Sequence, residues 1–129
     1  MERTEVKVRR AVKEDAPLLA WAVLESTRGH QARGFMDVRF SFLLPEREDE
    51  VLRVLRQMVE DDAPTCVRWD GFLVAELDSQ AAAVLCCCGP REKPFDEYYA
   101  LVERVVASQG WPAEWVDSLH QKYGRLTQV

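Results

Sequence analysis

The most reactive side chains in this sequence are four cysteines and two histidines, and their spacing argues against most of the chemistry they could do. Cys86, Cys87 and Cys88 are adjacent, and successive residues of a strand point to opposite faces, so the three cannot ligate one ion. There is no Cys-x-x-Cys pair, Cys66 is distant in sequence, and His30 and His120 add no ligand spacing, so no metal site is assigned. Nor is this the pattern of a secreted disulfide framework; the cysteines are expected as thiols, packed as small apolar side chains. A second group, Glu25, Ser26 and His30, falls where the first helix should end and a loop begin. By position alone they read as the polar residues of a solvated helix end. A third group is aromatic: Trp111 and Trp115 with Tyr98, Tyr99 and Tyr123. It could line a pocket or a dimer contact, but its helical spacing favours the core of a helical hairpin. No Ser/His/Asp nucleophile constellation and no phosphate loop of the GxxxxGK type is present.

The elements that must position these groups are legible in outline. Val6 to Val12 alternates as a strand. A helix should follow, with Glu14 and Asp15 at its positive end, Pro17 in its first turn and Gly29 as its stop. Ala16, Leu19 and Val23 recur along it at helical spacing. From His30 to Pro45 the period is lost, yet Phe35, Val38, Phe40, Phe42, Leu43 and Leu44 are more apolar than a linker needs. This segment should pack on the core or cover a site. Val51, Leu55 and Met58 mark a second helix over about 48–60. Thr65 to Trp69 leads into Phe72–Leu77, a polar turn at Asp78-Ser79-Gln80, and a return strand from Ala81 to Cys88, ended by Gly89-Pro90; this pattern predicts an antiparallel hairpin. Phe95 to Ser108 reads as a third helix closed by Gly110, and Trp111-Pro112 opens a fourth that Gly124 should close. Leu126 to Val129 could begin a further strand. The charge runs Glu46–Glu50 and Glu60–Asp62 read as solvent-facing.

The chain has 129 residues, 47% hydrophobic and 30% charged, the balance and size of one globular domain. Its net charge of −5 repels phosphate backbones and anionic membranes, and the N-terminal basic residues are interleaved with acids. Nucleic acid is therefore not an expected partner. No apolar run approaches a membrane span, and the polar N-terminus lacks a signal-peptide core, so a cytoplasmic location is expected.

Two stretches resemble the N-terminal part of the GNAT superfamily of N-acetyltransferases. Val8-Arg9-Arg10-Ala11-Val12-Lys13-Glu14-Asp15-Ala16-Pro17-Leu18-Leu19 is similar to the first strand and helix of such enzymes. Phe72-Leu73-Val74-Ala75-Glu76-Leu77-Asp78-Ser79-Gln80-Ala81-Ala82-Ala83-Val84-Leu85 resembles their hairpin. The two stretches occur in the family's order and together with the elements between them span about two thirds of the chain, with 91–124 as a helical insertion. The resemblance implies an α+β partial GNAT fold of antiparallel strands and about four helices, transferring acetyl from acetyl-CoA to a small-molecule or peptide amine. The resemblance also implies that the region of Glu25, Ser26 and His30 lines the acceptor site, where a carboxylate or an imidazole can hold or deprotonate an ammonium group.

One departure bears on activity. The family holds the pyrophosphate of acetyl-CoA with an Arg/Gln-x-x-Gly-x-Gly/Ala turn, whose small residues let backbone N–H groups converge at a helix N-terminus. Gln31-Ala32-Arg33-Gly34-Phe35-Met36 starts correctly, but Met36 stands where a small residue is required, and the segment follows a helix instead of a strand. No cofactor-binding residue is assigned, and no catalytic base. The cofactor half would lie beyond Val129, so this segment alone is expected to be inactive. A completing C-terminal half is one expected partner; the alternative is a non-catalytic interaction module of similar fold that works by protein contact as a dimer, because an open sheet edge seeks a partner strand.

Overall fold

The computed structural model describes residues 3–29, 31–86 and 95–127. Among these residues five α-helices accompany a three-stranded sheet: β1 (Val6–Arg10), α1 (Ala16–Arg28), α2 (Phe35–Arg39), α3 (Glu48–Glu60), β2 (Phe72–Leu77), β3 (Gln80–Cys86), α4 (Phe95–Ser108) and α5 (Ala113–Thr127). The sheet is antiparallel throughout, in the order β1-β2-β3, and the protein is an α+β fold. Among the described residues no helix is long and apolar enough to cross a membrane.

β2 alternates as a half-buried strand must: Phe72 and Val74 are buried while Leu73 and Leu77 are exposed. The buried side meets Ala16 and Leu19 of α1 and Val59 of α3, with Val84 of β3 packed alongside. β2 and β3 are joined by Asp78 and Ser79, both at positive φ (49° and 68°), the mirror-image turn whose twist suits a hairpin. Beyond it the pairing steps from Glu76↔Ala81 to Ala75↔Ala83, leaving Ala82 as a bulge. On the inner face Arg9 bridges the layers, donating to both Asp15 oxygens (2.7 and 2.9 Å) and to Glu76. Asp15 also accepts the Val12 N–H at 2.8 Å, fixing the 3-10 turn that leads into α1.

The larger core lies on the far side of α1 and α3. Leu24, Val51, Val54, Leu55 and Met58 pack there against Leu101, Val102 and Val105 of α4 and Leu119 of α5. The segment between α1 and α3 joins this core through Met36, Phe40, Leu43 and Leu44, so it packs as expected instead of standing off as a flap. Trp111 and Trp115 meet Phe42 (ring centroids 6.2 and 6.4 Å), and Trp111 donates to Glu50, which places these aromatics in the packing between α5 and the loop. Tyr98 and Tyr99 also pack on this core, so these four aromatics are packing residues, although the partners of Trp111 and Trp115 come from the segment before α3 and from α3 itself and not from a hairpin of α4 with α5.

Several expectations need correction. The alternation from Val6 is present, but its apolar stripe faces solvent: Val6, Val8 and Val12 are exposed and Ala11 is buried, since the Arg9 side of β1 is the one that meets the helices. β1 ends at Arg10, where the turn held by Asp15 begins. Thr65–Trp69 forms turns, not a strand, because Thr65 folds back on itself to accept the Val67 N–H. The loop after α1 contains the extra helix α2. Gly124 does not stop α5, which continues through Leu126 and Thr127 where a strand was expected to begin; Gln128 and Val129 lie outside the described residues. Cys86 is exposed at the end of β3, and the chain brings Cys66 to it, with Cys86 Sγ 3.1 Å from the Cys66 carbonyl oxygen. Cys87 and Cys88 lie outside the described residues. The charge runs are only partly solvent-facing: Asp61 takes a two-bond pair from Arg104 (2.7 and 3.1 Å), and Glu48 and Glu50 have partners on other elements.

Candidate functional site

The C-terminal turn of α1 gathers charged and polar side chains from three helices. α1 stops at Gly29, whose positive φ of 57° is a backbone conformation that glycine adopts without a side-chain clash. The chain reverses and re-enters helix at α2, passing Gly34. That glycine is required by proximity: a Cβ on it would lie 2.0 Å from the Thr27 carbonyl oxygen. Asp37, three residues on, reaches back to accept the Gly34 N–H at 2.7 Å, satisfying one of the free donors at the start of α2.

Arg28 is the hub. Its Nε and Nη2 donate to the two oxygens of Asp37 (3.0 and 3.1 Å), and its Nη1 faces Glu25 (2.7 Å) and Glu48 (3.5 Å). Three carboxylates from α1, α2 and α3 are thus tied by one guanidinium. The fork of Arg28 on Asp37 holds the Arg28 pKa above its usual value. The same bonds, helped by the Gly34 N–H, hold Asp37 below the ordinary carboxylate range. Asp37 is therefore a poor proton acceptor, and its part here is to position Arg28 and cap α2.

Two open clefts flank this hub and share Arg28 and Arg33. One, of about 560 Å³, is walled by Ser26, Thr27, Gln31, Phe35 and Val38. The other, of about 580 Å³, is walled by Ala32, Asp37, Leu44, Pro45 and Glu48. A smaller apolar cavity of about 250 Å³ lies behind α1, between Val23, Ser26, Val67, Val84 and Cys86. Ser26 touches both the first cleft and this cavity, but its hydroxyl donates to the Val23 carbonyl at 2.8 Å, as Thr27 does to Leu24. Among the described residues no base stands beside the Ser26 hydroxyl, whose hydrogen bond is spent on its own helix.

Of the three site residues expected from the sequence, Glu25 is tied to the hub and Ser26 lines the cleft, while His30 lies outside the described residues. Arg28, Asp37 and Glu48 were not anticipated. Asp37 carried a signal, an acid three residues after a helix-start position, which the loss of period in this segment obscured. Glu48 carried none, because its distance from Arg28 depends on how α3 packs. Among the described residues no cluster of three or more His, Cys, Asp or Glu could hold a metal ion. Comparison with protein-family models, with curated proteins and with solved structures found no match for this chain.

Proposed function

We propose that this chain is the acceptor-side portion of a GNAT-type N-acetyltransferase, binding a primary amine that receives acetyl from acetyl-CoA. The observation that carries the reading is the hub at the end of α1: Glu25, Asp37 and Glu48 gather on Arg28, and Asp37 and Glu48 line the second of two clefts large enough for a small molecule or a peptide end. A half-exposed carboxylate on a cleft wall can pair with an ammonium. Glu25 and Glu48 are the half-exposed carboxylates of the group and the ones we assign to hold the amine; Asp37 is committed to Arg28 and Gly34. Catalysis requires the neutral amine to attack the thioester carbonyl, with donors to stabilise the oxyanion. No base for that step is assigned to this chain, and no residue to acetyl-CoA.

The test is in two parts. Titration of the isotopically labelled protein with spermidine and with a short peptide bearing a free N-terminus should shift amides over 25–38 and at Glu48, and Glu48→Gln should weaken the effect. Protein purified from its native source should transfer label from radioactive acetyl-CoA to one of a panel of amines. Shifts confined to other regions, with no transfer by the native protein, would sink the reading. The exposed apolar face of the sheet supports a second reading, a non-catalytic module of the same fold acting through protein contacts; amine shifts absent but partner binding retained would favour it.

A further inference from the structure

Cys66 and Cys86 stand twenty residues apart along the chain and meet in the fold. Both line the apolar cavity of about 250 Å³ behind α1, with Val23, Val67, Phe72 and Val84. Cys86 pairs with Phe72 across the hairpin and lies two residues after Val84, so strand alternation puts it on the side of β3 that faces α1. Cys66 is held in a run of turns. The Thr65 N–H donates to the Ala63 carbonyl at 2.8 Å, the Arg68 N–H donates to the Thr65 carbonyl at 3.2 Å, and the Thr65 hydroxyl accepts the Val67 N–H at 3.4 Å.

The distance between the two residues is set by the Cys86 thiol, whose Sγ lies 3.1 Å from the Cys66 carbonyl oxygen. Adding the C=O and Cα–C bonds puts that sulfur no more than about 6 Å from the Cys66 Cα. The Cα atoms of a disulfide are themselves about 4.4–6.8 Å apart, so the Cys86 sulfur is already within the span of such a bond. Exposure divides the pair: Cys86 is open to solvent and Cys66 is half-buried. An accessible thiol beside a second, less accessible one is the arrangement in which the first meets an oxidant and the second resolves the adduct.

We propose that Cys66 and Cys86 form a redox modification site, converted reversibly to an intramolecular disulfide by a low-molecular-weight disulfide such as glutathione disulfide. Cys86 loses its proton to solvent, and its thiolate bonds to one glutathione sulfur as the glutathione S–S bond breaks and the first glutathione leaves as thiolate. Cys66, deprotonated in turn, attacks Cys86 Sγ; the mixed disulfide breaks and the second glutathione leaves. Two protein thiols are oxidised and one glutathione disulfide is reduced to two glutathiones. The new bond ties the end of β3 to the segment between α3 and β2, across the wall of the cavity. The inference is independent of the acetyl-transfer reading.

The experiment equilibrates the whole chain in glutathione redox buffers, quenches it with an alkylating agent and reads it by mass spectrometry. Trypsin cleaves after Arg68, separating Cys66 (on 57–68) from Cys86 (on 69–91). Cys87 and Cys88 share the second peptide, so the decisive protein is the Cys87→Ser/Cys88→Ser variant, its fold verified by circular dichroism. It should lose two hydrogens and yield 57–68 joined to 69–91, and dithiothreitol should separate them. Should that variant not fold, fragmentation of the joined peptides from the parent protein locates the bond at Cys86. With Cys86→Ser, joining 57–68 to 69–91 should need a buffer at least about tenfold more oxidising. Three results would overturn the proposal: only glutathione adducts in the double variant, equally ready joining in Cys86→Ser, or a disulfide that links two chains instead of closing within one.

Discussion

Replacing Asp37 with alanine tests whether the hub at the end of α1 is a structural tie. The substitution removes two charge-assisted bonds from Arg28 and the bond from the Gly34 N–H. Loss of a helix-start acceptor costs about 1 kcal/mol. Breaking a buried ion pair on one side costs about 3–5 kcal/mol. Arg28 keeps Glu25 and Glu48, however, and its side chain retains 18% exposure, so about 2 kcal/mol is the better figure for that part. The expected loss is about 3 kcal/mol, or a fall in Tm of about 10 °C for a chain of this size. Urea denaturation followed by tryptophan fluorescence reads it, with an unchanged slope against denaturant. Asp37→Asn retains an acceptor for Gly34 and should recover about 1 kcal/mol. The pH dependence has a definite sign. Asp37 has a depressed pKa in the folded protein, so its contribution is present above the unfolded value of about 4 and is lost as pH falls through the folded value. The gap between the parent protein and Asp37→Ala should therefore be full at pH 7 and narrow below about pH 4. A loss under about 1 kcal/mol at pH 7, or a gap that stays full at about pH 2, would refute the assignment.

Gly34→Ala should destabilise by at least about 2 kcal/mol, because the new methyl meets backbone and not a movable side chain; a neutral result in thermal unfolding would mean that α2 sits further from Thr27. Leu55→Ala, in the core shared by α3 and its neighbours, should cost about 2–5 kcal/mol by denaturant titration, and a smaller loss would argue for loose packing there. Asp15 and Asp61 are also held below the ordinary range, by hydrogen bonds from Arg9 and Arg104 respectively. Stability should thus fall on acidification below about pH 4 even with Asp37 substituted, and a flat profile in that variant would contradict both pairs. Arg104→Ala should lower Tm by less than Asp37→Ala, with a difference that fades in 1 M salt, because that pair lies open to water.

Much of the fold was legible in the sequence because periodicity is local. The stripe of α3, the face of α4 and the hairpin of β2 and β3 each show their geometry within a dozen residues. The Gly29 stop and the Asp78-Ser79 turn are equally local, since each depends on backbone conformation at one or two residues. What tertiary structure decided is which side of each element meets the rest. Val6 and Val8 alternate as a buried stripe would, yet the partners of β1 present Arg9 and Ala11 to the helices and leave the valines in water; a single strand cannot specify which of its faces is covered. Gln31–Met36 illustrates the same division. Its glycine resembled a phosphate-turn residue, but its small size answers to the carbonyl of Thr27, seven residues back, across a reversal that no local pattern encodes. The hub itself, with Glu25, Asp37 and Glu48 around Arg28, joins three helices. Composition and spacing supplied the charged residues; only the packing of α1, α2 and α3 brought them within hydrogen-bond reach, because electrostatic partners are chosen by distance in space and not by separation along the chain.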